Sequence, residues 1–259
     1  MFIYGVVNAS PDSKQRDSIV ASPEEAVARA RMLLERGADG IDVGGQGSTD
    51  EACVVDWTVE WTRLEPIIPA LASLGVSLSV DSWRPEVVRR ALESGATMIN
   101  AADGMQDDAM WRVAGDVDVP IVVPFLSGPN PRQLAYVRKD PIDALVEFFT
   151  DRLAVADRYG VRDRCILDPG TGFAPAGAEW NERYRYQKYV YSNLGALRRF
   201  DLPLYVALPW KESPQHEEVL AIVVGQGLEF GRSHRPWQVR DVEAELAALE
   251  AQSSNGPRG

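Results

Sequence analysis

The sequence is short of the residues that build soft metal sites and disulfide scaffolds, with two histidines and two cysteines in 259 residues. Cys53 and Cys165 lie far apart in unlike contexts, so they read as free thiols in a reducing compartment rather than as a disulfide. No Cys/His cluster has zinc-ligand spacing. Neither a Ser-His-Asp nor a Cys-His arrangement supplies a covalent nucleophile. No run of about 18 apolar residues occurs, which excludes a membrane-spanning helix. The N-terminus runs straight into strand-like sequence without a secretory leader, so a cytoplasmic location is expected. Positive charge is also in deficit: 27 Lys and Arg face 38 Asp and Glu, a net −11. That balance argues against a nucleic-acid-binding face, although a pocket can oppose the global sign and take an anionic small molecule. The one cationic stretch, Asn181–Arg199, reads as a barrel helix with snorkelling arginines; a partner-binding face is the alternative. His216, in "SPQHEE", reads as a surface residue. Trp57, Trp61 and Trp111 fall in or beside helical patterns and read as packing residues.

What is present is alternation. Short apolar runs at Phe2–Val7, Gly40–Gly45, Val76–Ser82, Thr97–Asp103, Val119–Phe125, Arg164–Gly170, Leu202–Pro209 and Leu228–His234 have strand character. Helical patterns follow each of them: from Ser22 to Arg36, about Val59 to Ser73, from Pro85, about Asp108 to Gly115, Pro141 to Tyr159, within Glu182–Phe200, Pro214 to Val224, and Pro236 to Glu250. Ser22-Pro23-Glu24-Glu25 is a helix start with an N-cap serine, a first-turn proline and acids at the positive end. Eight such units predict a single (β/α)8 TIM barrel over residues 1–250. The small polar residues 251–259 are expected to be disordered. An open doubly wound sheet is the rival, but "DVGGQGST" lacks a G-x-G-x-x-G opening a helix.

In such barrels the active site lies where strands end. The polar strand-end residues are Asn8, Asp42, Asp81, Asn100, Asp168, Lys211, Arg232 and His234. Asp81, Asn100, Asp168 and Lys211 suit a flat, nitrogen-rich heterocycle, because carboxylates accept paired hydrogen bonds from an amino/ring N–H edge while amide and ammonium meet acceptors. Asn8, Arg232 and His234 form a second group, since strands one and eight become neighbours when a barrel closes. Arginine is a forked phosphate donor, and an asparagine can hold hydrated Mg²⁺ on that phosphate.

Those residues stand in motifs that resemble the dihydropteroate synthase family: "NASPDS" after the first strand, "IDVGG" at the second, "SVDS" at the third, "MINAADG" at the fourth, "LDPGTGF" at the sixth, Lys211 after the seventh and "RSH" at the eighth. The resemblance covers nearly the whole chain in order. It implies a transferase of folate biosynthesis that condenses 6-hydroxymethyl-7,8-dihydropterin pyrophosphate with p-aminobenzoate. It assigns the pterin to Asp81, Asn100, Asp168 and Lys211, and the pyrophosphate with Mg²⁺ to Asn8, Arg232 and His234. Lys211, Arg232 and His234 are the implied catalytic residues, Asn8 the implied metal contact, and Phe173 the implied wall for p-aminobenzoate. A homodimer is the implied assembly.

The sequence departs from the family pattern in its loops. "KQRDS" (Lys14–Ser18) replaces a Phe-Ser-Asp-Gly-Gly segment, and "QGSTDEA" replaces Glu-Ser-Thr-Arg-Pro, placing Asp50 where an arginine falls. "PWKES" replaces Ser-Arg-Lys-Ser, leaving Lys211 between Trp210 and Glu212. Acidic residues near the p-aminobenzoate subsite would repel its carboxylate. This motivates an alternative, a pterin-binding paralogue with another second substrate or without synthase activity, and predicts weak sulfonamide binding. A methyltetrahydrofolate-binding methyltransferase barrel is a third class, disfavoured because it does not need the Arg-x-His anion group.

Overall fold

The computed structural model describes residues 1–13, 15–47, 52–209, 213 and 215–254. Strand β1 (Phe2–Asn8) is buried through its interior, as a strand covered on both faces must be. It pairs in parallel with β2 (Gly40–Gly44) and with β8 (Phe230–Ser233). The others are β3 (Ser77–Ser82), β4 (Met98–Ala101), β5 (Ile121–Pro124), β6 (Cys165–Asp168) and β7 (Tyr205–Ala207). The sheet order is β6-β5-β4-β3-β2-β1-β8-β7. A single parallel bridge, Leu167 to Leu204, joins the two ends, with the Leu167 N–H donating to the Pro203 carbonyl at 2.9 Å. The result is the nearly closed TIM barrel that the alternation predicts.

The helices are α1 (Pro23–Glu35), α2 (Trp57–Leu64), α3 (Ile67–Ala72), α4 (Pro85–Glu93), α5 (Asp108–Gly115), α6 (Pro141–Tyr159), α7 (Trp180–Ser192), α8 (His216–Val224) and α9 (Pro236–Ser254). Ser22 caps α1 by accepting from the Glu25 N–H at 3.2 Å, and Asp56, Asp107 and Asp140 cap α2, α5 and α6 in the same way. The single helix expected over 59–73 is two. Pro66 has no N–H to continue the ladder and its ring crowds the preceding turn, so α2 ends before it and α3 begins after it. α9 continues to Ser254, past the boundary expected at Glu250. His216, expected at the surface, is 7 % exposed: it opens α8, whose apolar face packs inward.

Side chains alternate between two cores. Outward-facing strand residues pack on the helices in one large cluster. Inward-facing Tyr4, Met98, Val122, Ile166 and Tyr205, with Phe2 and Phe230 against them, fill the barrel. One alternation further on stand Asn100 after Met98, Asp168 after Ile166 and Arg232 after Phe230. This step from apolar plug to polar layer puts the chemistry at the C-terminal mouth.

Candidate active site

A cavity of about 190 Å³ opens at that mouth, lined by Asn8, Asp81, Asn100, Asp168, Phe173, Arg232 and His234 among others. Seven of the eight site residues expected from sequence thus converge on one space. The eighth, Lys211, lies outside the described residues, as do Asp50, Trp210 and Glu212.

Arg232 is the hub. Its Nε lies 2.6 Å from Asp42 Oδ2 and its second terminal nitrogen 2.7 Å from Asp81 Oδ2. The guanidinium plane is therefore held by carboxylates from β2 and β3, and Asp42 also accepts from Asn100 Nδ2 at 3.3 Å. Arg232 joins the two groups read from sequence: it lines the cavity with Asn8 and His234 and bonds Asp81 of the heterocycle group. Asp42 is fully buried. As a strand-end acid it was legible in the sequence, but only the register across β1, β2 and β8 shows that it serves Arg232.

Burial sets the protonation of the layer. Asp168, 4 % exposed, accepts from the Gly170 N–H at 2.8 Å, yet burial pushes its carboxyl up to about 7. Burial also raises the Asp81 carboxyl, with Arg232 pulling it back. His234 is driven the other way, down to about 3, first by burial and then by the positive charges of Arg232, Arg29 and Arg235. Its imidazole is therefore held neutral at physiological pH and can offer an N–H donor, not a positive charge.

Asn8 is oriented by a short relay. Ser18 Oγ donates to the Gln15 carbonyl at 2.6 Å. Its one proton is thereby spent, so it accepts from Asn8 Nδ2, also at 2.6 Å. The Asn8 amide oxygen is left as the ligand-capable atom. A single neutral oxygen fits a hard cation that keeps most of its waters and is anchored mainly by phosphate. Among the described residues no cluster of three or more His, Cys, Asp or Glu could hold a metal by itself.

The loops over the mouth are clasped by residues that the sequence reading did not single out. Gln46 donates to the carbonyls of Gly47 and Cys53 at 3.1 and 2.8 Å and accepts from the Val55 N–H at 2.9 Å. It thus pins both stems of the β2–α2 loop. Ser10 accepts from the Gly47 N–H at 3.1 Å and Asp12 from the Cys53 N–H at 3.2 Å, tying in the β1 loop. Arg132 donates to the Ala52 carbonyl, bringing in the β5–α6 loop. Arg84, paired with the buried Glu60, donates to the Val55 carbonyl. Tyr205, Arg183 and Gln187 also line the cavity. Both cysteines are free, Cys165 buried with its thiol pushed up to about 12. No described helix is long and apolar enough to cross a membrane.

The family described as "Pterin binding enzyme" matches residues 4–211. Dihydropteroate synthase type-2 of Escherichia coli is 31 % identical, over 96 % of each chain. A probable bifunctional folylpolyglutamate synthase/dihydropteroate synthase of Halobacterium salinarum is 37 % identical over 68 % of this chain, which spans only 22 % of that protein. The dihydropteroate synthase of Xanthomonas albilineans, solved with 4-aminobenzoic acid, superposes with a TM-score of 0.81 at 26 % identity, covering 96 % of this chain and 93 % of that one.

Proposed function

The chain belongs to the pterin-binding enzyme family, among the dihydropteroate synthases, and from that membership we propose how its residues divide the reaction. The reaction is a transfer in folate biosynthesis: 6-hydroxymethyl-7,8-dihydropterin pyrophosphate condenses with p-aminobenzoate. The amine lone pair forms the new C–N bond at the pterin methylene, the C–O bonding pair leaves with pyrophosphate, and the amine proton passes to solvent.

Asp81, Asn100 and Asp168 hold the pterin edge, with Lys211 assigned to the same ring by its motif. Arg232, His234 and Asn8 hold the pyrophosphate. Arg232 contributes charge and His234 a neutral N–H, so developing negative charge on the leaving group meets donors already in place. The Asn8 amide oxygen would hold Mg²⁺, whose chemistry there is to neutralise leaving-group charge. Phe173 flanks the aromatic ring of the second substrate. A homodimer is the expected assembly, to be checked by light scattering.

The observation that carries this reading is that Arg232 of the anion group bonds Asp81 of the heterocycle group, at one cavity that Asn8, His234, Asn100 and Asp168 also line. The test is turnover of the two substrates with Mg²⁺, followed as dihydropteroate and pyrophosphate. Product formation abolished by Asp168→Asn and by Arg232→Ala is the expected result. Pterin pyrophosphate binding without product would make the chain a paralogue with another second substrate, and absence of pterin binding would overturn the site.

A further inference from the structure

A second and larger cavity, about 310 Å³, adjoins the first. The β5–α6 loop, the β6–α7 loop and the start of α7 frame it, and Phe125, Pro175 and Tyr186 contribute apolar wall. Phe173, Arg183 and Gln187 line both cavities and form the partition between them.

Two polar atoms of that partition are buried without a hydrogen-bond partner among the described residues. One is Nε of Arg183, a donor, and the other is Oε1 of Gln187, an acceptor. At i and i+4 they share one face of α7. A terminal nitrogen of Arg183 donates to the Gly172 carbonyl at 3.2 Å, and Gln187 Nε2 donates to the Thr171 carbonyl at 3.0 Å, so both side chains are fixed in place. Burial lowers the pKa of Arg183, and the only opposing influence is the Tyr191 hydroxyl. Among the described residues no carboxylate forms an ion pair with it. Arg84 and Arg232, by contrast, are matched to Glu60 and to Asp42 with Asp81. Arg183 is half-buried, and its Nε, shut off from water with no counter-charge beside it, is satisfied only if a ligand supplies an acceptor.

We propose that Arg183 receives the carboxylate of the second substrate, with the aromatic ring against Phe173 where the two cavities meet. The buried donor and acceptor a helical turn apart match the two ends of an amino-carboxylate arene. This inference rests on the reaction assigned above and gives that reaction a carboxylate anchor on α7. The anchor is separate from the loop after β7, where the sequence carries Glu212.

The test compares p-aminobenzoate with p-aminobenzamide, its uncharged analogue, in wild type, Arg183→Gln and Arg183→Lys. Each variant is first checked for native thermal unfolding and for pterin pyrophosphate affinity, both expected to be unchanged. Wild type should prefer the carboxylate by about tenfold or more in kcat/KM, the scale of one charge-assisted hydrogen bond. Arg183→Gln should lose that preference through KM, and Arg183→Lys should keep most of it. Retention of the preference in Arg183→Gln, or a matching loss of pterin affinity, would overturn the proposal. If wild type turns over neither amine, the assigned reaction fails, and an NMR titration with benzoate then decides the anion site alone. Binding lost in Arg183→Gln supports the site, and equal binding in both proteins overturns it.

Discussion

Nε of Arg232 lies 2.6 Å from Oδ2 of Asp42, a carboxylate wholly removed from solvent at the neighbouring-but-one strand. A buried partner of this kind cannot be replaced by water when it is lost. Asp42→Asn keeps the shape and removes the charge, leaving Arg232 held by Asp81 alone. It is expected to cost about 2–4 kcal/mol in urea unfolding and at least tenfold in kcat/KM. Asp116→Asn breaks the exposed pair with Arg89. It should cost less than about 1 kcal/mol, because water screens that pair.

Gly170 holds Asp168 in place through its backbone. Its φ is +68°, and a Cβ there would sit 2.0 Å from the Phe125 carbonyl oxygen. Gly170→Ala must shift either the β6–α7 turn or the end of β5, and the N–H bonded to Asp168 moves with it. A loss of more than about 2 kcal/mol and of pterin affinity is expected. Gly177 has a similar φ, +75°, with nothing within 4 Å of its Cβ position. Gly177→Ala should therefore cost only the backbone conformation, about 1–2 kcal/mol, and leave pterin binding intact. Calorimetric titration with 6-hydroxymethylpterin separates the two.

His234 is predicted to stay neutral in the unliganded protein. Its pKa, about 3, lies far below the ordinary 6.5 because burial and three arginines oppose a further positive charge. Its ¹⁵N imidazole shifts should show no protonation between pH 5 and 8. Since the role is N–H donation, His234→Gln should retain more activity than His234→Ala, by roughly tenfold if one hydrogen bond to a charged group is at stake. Titration near pH 6.5 would contradict this account. The same depressed pKa makes His234 a source of acid instability: its contribution is intact above about 6.5 and falls as pH drops towards 3.

The barrel and most of its mouth were legible because strand ends and helix caps are local features. Asn8, Asp81, Asn100, Asp168, Arg232 and His234 each sit at the end of an apolar run, and their motifs fall in family order. What escaped is what depends on register or on the third dimension. Asp42 looks like any other strand-end acid until β2 is seen two strands from β8. Arg183 and Gln187 lie in an aromatic, basic helix whose pattern gives no sign that one face closes two cavities. Gln46 is one polar residue in a glycine-rich loop, and its three backbone bonds are invisible without coordinates. The break between α2 and α3 falls at Pro66, inside an apolar pattern that runs on through both helices.

Asp168 makes ligand-free stability and pterin binding respond to pH in opposite directions. Its folded pKa, about 7, stands above the ordinary 3.8 because the carboxyl is buried. The folded protein therefore holds this proton more tightly than the unfolded chain does. The stability Asp168 contributes is fully present below about pH 4 and is lost as pH rises through 7, by about 1.4 kcal/mol per unit across that window. A pterin edge that donates two hydrogen bonds needs the ionised carboxylate, so affinity should rise over the upper part of the same range and level off above pH 7. Other groups titrate as well, Asp103 with a carboxyl also near 7 among them, so the comparison must be with Asp168→Asn. Relative to that variant, ligand-free wild type should lose stability between pH 5 and 8 while its affinity for 6-hydroxymethylpterin increases. Asp168→Asn should keep only the slopes of the other buried carboxyls, Asp81 and Asp103 among them. A wild-type affinity independent of pH over that range would mean that Asp168 is already ionised in the free protein, and that the neighbouring Arg232 outweighs its burial.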